Sequence, residues 1–139
     1  MLAGLALAAT SAGLHAAEPA ITVYKSPTCG CCTEWGDHLR KNGFAVKTVD
    51  SLDLSRIKAM SGVEPELASC HTAFVDGYVI EGHVPADDIR RLLAERPDAR
   101  GLTVPGMPAG SPGMESPTPE HYQVLLIDKT GKTTVFATH

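Results

Sequence analysis

No block of basic residues occurs in this chain. Lys and Arg number 12 against 16 Asp and Glu, for a formal net charge of −4, and the cations are scattered. Nucleic acids and anionic membrane surfaces both demand concentrated positive charge, so neither is the expected partner. Aromatic residues make up only 5% of the chain, too few for a base-stacking platform. There is no glycine-rich phosphate loop, no paired carboxylate motif and no nucleophile–base couple outside the thiols, which leaves ordinary metabolic chemistry without a site. No internal repeat is visible, and no apolar run is comfortable as a membrane span of about 20 residues. The opening stretch, MLAGLALAATSAGLHAAEPA, is closed by His15 and Glu18. Its apolar core and its small residues near Ala16 and Ala17 resemble a secretory signal, although no Lys or Arg precedes Lys25. Residues 1–17 are therefore expected to be a signal peptide without its basic start. Residues 18–139 are expected to form one domain, exported to the periplasm, where disulfides persist and no stable membrane insertion remains after signal removal.

Alternation and punctuation along that domain predict an α/β fold. Ile21-Thr22-Val23-Tyr24 reads as a strand broken by Ser26-Pro27-Thr28. A helix follows through CCTEWGDHLRKNG, with Cys32, Trp35, Gly36 and Leu39 on one face and Gly43 as its left-handed end. Phe44 to Asp50 predicts a second strand, and SLDLSRIKAMSG a short helix with Leu54, Ile57 and Met60 inward. His71 to Val75 and Tyr78 to Glu81 flank the two-residue hairpin signal Asp76-Gly77. Pro85 opens a third helix with Ile89, Leu92 and Leu93 as its apolar face, stopped by Pro97. The order β-α-β-α-β-β-α is thioredoxin-like: a mixed sheet backed by helices. A Pro/Gly-rich loop, GLTVPGMPAGSPGMESPTPEH, is expected to hold no regular structure, and YQVLLID with TTVFAT forms an extra C-terminal hairpin.

What the chain does have is a concentration of thiols. Cys29-Gly30-Cys31-Cys32 places three of its four cysteines within four residues. Cys29 and Cys32 have the C-x-x-C spacing, and they fall where the first strand hands over to the first helix. Sulfurs three residues apart at a helix start come close together, and the free N–H groups there favour thiolate over thiol. Thiolate is the form that attacks disulfides and binds metals. Cys31 adds a third sulfur to a pattern that redox chemistry alone does not need. The fourth, in Ser69-Cys70-His71-Thr72, lies where thioredoxin-like proteins carry the loop with a cis-proline, with His71 at the proline's place. Four sulfurs and an imidazole are thus expected together, a set that suits soft or borderline ions such as Cu(I) and Zn(II).

The segments VYKSPTCGCCTEW, SCHTAFVDGY with EGHVPADDI, and GLTVPGMPAGSPGME resemble the CopG-like copper-resistance proteins, a family of exported, thioredoxin-like bacterial proteins long catalogued as a domain of unknown function. The resemblance runs over roughly residues 21 to 136. It implies copper binding at Cys29, Cys31, Cys32 and Cys70, a role in copper resistance, and redox cycling of thiols or metal as a further option. The partners it implies are copper ions, together with other periplasmic copper-handling proteins or a thiol reductant.

Other readings stay open beside it. A thiol–disulfide oxidoreductase would use Cys29 as nucleophile and Cys32 as resolving thiol, and a mononuclear zinc site would close over four cysteines. Whether the chain is an enzyme, as a thiol- or copper-dependent oxidoreductase, is left open by the residues. Two structural disulfides, Cys29–Cys32 and Cys31–Cys70, are the plainest alternative. His71, His83, Met107 and Met114 are further candidate ligands, each with a plainer role as a buried, turn or loop-packing residue. Trp35 is expected in the core, and His38 and Lys25 are expected to be solvated.

Overall fold

The structure, a computed structural model, describes Gly13 and residues 18–139; apart from Gly13, the signal-like stretch lies outside the described residues. In chain order the elements are β1 (Ile21–Lys25), α1 (Gly30–Lys41), β2 (Val46–Asp50), α2 (Leu54–Met60), a 3-10 turn at Pro65–Leu67, β3 (Thr72–Val75), β4 (Tyr78–Glu81), α3 (Ala86–Glu95), β5 (Ala99–Thr103), β6 (Gln123–Asp128) and β7 (Thr133–Thr138). All seven strands join one mixed sheet in the order β2-β1-β3-β4-β5-β6-β7. The pairs β1/β2 and β4/β5 are parallel, and the other four are antiparallel. The seven elements read as the thioredoxin-like order occur in that order. Among the described residues, no helix is long and apolar enough to cross a membrane.

Local chemistry explains the element ends. The buried residues of α1 are Cys32, Trp35, Gly36 and Leu39, the face that their helical spacing predicts. The helix closes with Gly43 at φ 92°, while Gly43 N–H donates to the Arg40 carbonyl and Phe44 N–H to that of Leu39. This is a Schellman arrangement, and Leu39 and Phe44 are both in the core it turns toward. Asp76 and Gly77 both have positive φ, as a tight β-hairpin turn requires.

Strand alternation sorts the core onto two faces. On β4, Tyr78 and Ile80 face one way and join Trp35 and Leu39 of α1 and Ile89 and Leu92 of α3. Val79 faces the other way and joins Val63, Leu67 and Ile127 in a smaller cluster. All four residues of β4 are buried, as expected of a strand covered on both sides.

Three expectations need correction here. Met60 does not point inward: it is 78% exposed, and α2 has no buried residue. Leu52, just before α2, is exposed too, and the smaller cluster is filled from the 63–67 segment instead. The Pro/Gly-rich region begins with regular structure, since Gly101, Leu102 and Thr103 belong to β5. Glycine masks the strand signal at that position but is needed there, because a Cβ on Gly101 would run into the Val79 carbonyl. Through β5 the C-terminal hairpin becomes part of the same sheet. Finally, Lys25 is buried rather than solvated, with its ammonium 3.3 Å from Asp50 and 3.1 Å from the Ser26 carbonyl.

Gly101→Ala is expected to lower stability by about 2 kcal/mol or more, the scale of forced overpacking. The midpoint of urea unfolding should fall with an unchanged slope; an unchanged midpoint would show that β4 and β5 are not packed this closely.

Candidate metal centre

Topology brings the chemically distinctive residues to one end of the sheet. β1 runs toward that end and hands over to Cys29, the residue before α1. β3 is antiparallel to β1, so its start, just after Cys70 and His71, lies at the same end. β4 is antiparallel to β3, so its last residue Glu81 is paired with Thr72, and Gly82-His83 follow there. β5 is parallel to β4 and delivers Val104 and the turn carrying Met107.

Cys29 and Cys32 are joined by a disulfide, whereas Cys31 and Cys70 are free thiols. The Cys31 sulfur lies 3.5 Å from that of Cys29, 3.8 Å from that of Cys70 and 3.9 Å from the Met107 sulfur. The second structural disulfide considered from sequence, Cys31–Cys70, is therefore absent, although the two sulfurs are neighbours. Cys32 is fully buried and the other three cysteines are half-buried, while Met107 is half exposed at the rim.

Two imidazoles sit behind the thiols. The Cys70 sulfur is 3.3 Å from His71 Nδ1 and 3.1 Å from His83 Nε2. The remaining nitrogens face peptide carbonyls: His71 Nε2 is 2.9 Å from Gly82 O and His83 Nδ1 is 2.7 Å from Pro112 O. A carbonyl only accepts, so these nitrogens carry the protons and donate. His71 Nδ1 and His83 Nε2 are left with lone pairs directed at the Cys70 sulfur. Fixing the tautomer through the distal nitrogen is how proteins commonly orient histidine ligands. The ligand atoms of Cys29, Cys31, Cys32 and Cys70 lie within 4.8 Å of one another, and so do those of Cys70, His71 and His83. The two sets share Cys70.

Burial governs the protonation of this region. Burial, reinforced by nearby Cys31, pushes the Cys70 thiol up to about 11. Burial and the neighbouring His83 hold His71 down at about 3, and burial also lowers His83. Burial thus favours a protonated Cys70 thiol beside neutral imidazoles. An ion bound there has to displace the Cys70 proton.

The sequence candidates fare differently. The structure brings Cys29, Cys31, Cys32, Cys70, His71, His83 and the Met107 sulfur together. Met114 contributes backbone: its N–H donates to Ser111 O and its carbonyl accepts from Gly110, which shapes the turn that presents Pro112. Trp35 is in the core as expected, but it also touches the site. Its ring lies 4.3 Å from that of His71 and its N–H donates to Val84 O. His38 is not simply solvated, because its Nε2 accepts the Ala86 N–H at the start of α3, and burial lowers its pKa. Several supporting residues had no signal in the sequence: Glu81, Lys58, Thr72 and Ser69 form a hydrogen-bonded group beneath Cys70. Only the nearness of Ser69, Thr72 and Glu81 to the motif residues could have pointed to them.

A seven-stranded mixed sheet presents, at one end, a sulfur-rich set of donors of the kind that suits a thiophilic metal. Solved structures place the chain more narrowly. Two structures titled copper resistance protein CopG, in Form 1 and Form 2, are each 45% identical to this chain, with TM-scores of 0.83 and 0.84 respectively. Each match covers 88% of this chain and 98% of that chain. The chain belongs to the CopG copper-resistance family. Residues 67–114, which hold Cys70, His71, His83, Met107 and Met114, match a family described as protein of unknown function, DUF411. No curated protein is significantly similar to the chain.

With the Cys29–Cys32 disulfide intact and metal removed, alkylation of Cys70 should rise with pH around a midpoint near 11. Mass spectrometry of the labelled peptide reads this directly. A midpoint at the free-cysteine value of about 8.5 would contradict the buried, thiol-form Cys70.

Proposed function

We propose that this chain is an exported, periplasmic copper-handling protein that binds Cu(I) through Cys31, Cys70 and the opened Cys29–Cys32 pair. His71, His83 and Met107 complete the donor set. The observation that carries the reading is the meeting of two free thiols, two tautomer-fixed imidazoles and a thioether at one end of the sheet. Structural disulfides alone need none of these extra donors. Thiolate and thioether suit Cu(I), and crowded thiolates favour sulfurs shared between more than one ion over a single closed site.

The Cys29–Cys32 pair gives this site a redox function as well. Its closure forms one S–S bond, removes two electrons and releases two protons. Those two electrons reduce two Cu(II) ions to Cu(I). Reopening the bond needs two electrons from a thiol reductant or from two Cu(I) ions. Cys31 and Cys70 stay thiols when the pair is closed, so donors for copper remain in both states. Thiol–copper oxidoreduction is therefore compatible with storage at the same place.

A zinc reading is favoured by one feature, the Cys70-His71-His83 group, whose mixed nitrogen and sulfur donors suit Zn(II) as well as copper. Simple disulfide exchange is favoured by the Cys29–Cys32 pair alone. Cys31 separates these readings. In a C-x-x-C oxidoreductase an inner residue tunes the potential without reacting, so Cys31→Ser leaves insulin reduction largely intact. In the copper site a hydroxyl is a poor replacement for a soft thiolate. Copper retained after anaerobic loading and desalting should fall by about half or more in Cys31→Ser and in Cys70→Ser. Full copper content in both variants, together with loss of insulin reduction in Cys29→Ser, would replace copper handling by disulfide exchange.

A further inference from the structure

Beneath the metal centre lies a charged group that the ligand chemistry does not use. Glu81 is fully buried at the end of β4. It faces the α2 side of the sheet, directly across from Thr72 in register. One of its oxygens accepts the Ser69 N–H at 2.9 Å and contacts the Lys58 ammonium, and the other accepts the Thr72 hydroxyl at 2.7 Å. Lys58 also donates to the Thr72 hydroxyl oxygen at 3.0 Å. Folding alone does not demand such a group, because well-packed apolar residues can often replace a buried ion pair without loss of stability.

We infer that Glu81 is a positioning residue for the metal centre, holding Cys70 in place through the peptide N–H of Ser69. The backbone shows why one is needed. The β3–β4 ladder continues one step beyond the strands, where Gly82 N–H donates to His71 O at 3.1 Å. At Ser69 the chain has left the ladder, and a peptide N–H without a strand partner must find another acceptor. The Glu81 side chain supplies it. Cys70 is the next residue, and its sulfur is thereby set between the two imidazoles.

Ser69 extends the clamp to the far side of the centre. Its hydroxyl donates to Gly106 O, and Gly106 N–H returns a bond to Ala68 O at 3.1 Å. The turn leading to Met107 is thus docked on the peptide that Glu81 holds. Gly82 closes the remaining side, since a Cβ there would come within 2.6 Å of the Ser69 Cβ. One carboxylate therefore fixes the relative placement of Cys70 and the Met107 turn.

The inference rests on the proposed ligand role of Cys70, so its test includes a readout on metal-free protein that does not depend on copper. The comparison is between the double variants Lys58→Met/Glu81→Gln and Lys58→Met/Glu81→Met, neither of which leaves an unpaired buried charge. Gln retains an acceptor for the Ser69 N–H; Met fills similar space without one. In the Met pair, Cys70 alkylation relative to Cys31 at about pH 8 should rise at least tenfold, and Cu(I) affinity, by competition with a chromophoric chelator, should fall at least tenfold, the scale expected when a supporting hydrogen bond to a metal site is removed. The Gln pair should stay within about twofold of wild type in both readouts. Glu81→Asp is the second test, because it keeps the charge beside Lys58 but draws the acceptor back by one methylene. It should raise Cys70 labelling even if the Met pair does not fold. Wild-type labelling in Glu81→Asp, or in a folded Met pair, overturns the positioning role. Copper retention by Cys70→Ser would instead sink the ligand role, and the labelling comparison would still decide Glu81.

Discussion

Two peptide carbonyls, those of Gly82 and Pro112, decide which nitrogen of each imidazole keeps its proton. The rest of the centre depends on that constraint. With the distal nitrogens donating, the proximal nitrogens point lone pairs at the Cys70 sulfur. Burial then keeps both rings neutral, and Trp35 covers the face of His71. Neutral imidazole is the form that can ligate a metal, and both rings are held in that form by burial. The carbonyls are themselves fixed by tight turns. Gly82 has a φ of 76°, and Gly113, next to Pro112, has a φ of 87° in a space where a Cβ would crowd the backbone of α1 and the His83 ring.

The four sulfurs divide the remaining work. Cys29 and Cys32 form the closable pair at the helix start, and Cys31 and Cys70 remain thiols beside it. The Cys31 sulfur is the hub, within 3.9 Å of the sulfurs of Cys29, Cys70 and Met107. A dithiol can then exchange electrons while neighbouring donors stay available, which a plain C-x-x-C motif cannot offer. The Met107 thioether is half exposed and Cys29, Cys31 and Cys70 are half-buried, while Cys32 and both imidazoles are fully buried.

Much of this arrangement was legible in the sequence because it rests on local signals. The three clustered cysteines, the Asp76-Gly77 turn, the face of α1 and the glycine that ends it are each encoded within a few residues. The position of Cys70 and His71 opposite the motif followed from the order of elements. What escaped was set by distant contacts. β5 was hidden because Gly101, chosen for its closeness to Val79, reads as loop. Met60 was assigned inward by periodicity, although no layer covers that side of α2. Glu81, Lys58 and Ser69 meet only after β3 and β4 are paired, and the His38 bond to Ala86 joins residues far apart in sequence. No single-residue pattern announces such partners.

The family relationship explains why the resemblance extends over the whole sheet, and not over the cysteine motif alone: CopG structures match 88% of the chain. On the proposed function, copper is held by this shared set of donors, with more of them available once the Cys29–Cys32 bond is open. Anaerobic titration of the 18–139 chain with Cu(I), read by native mass spectrometry, tests it most directly when reduced and disulfide-containing forms are compared. The reduced chain should bind more than one copper ion, and the disulfide form fewer. Failure of the reduced chain to retain copper, or identical loading of the two forms, would contradict it.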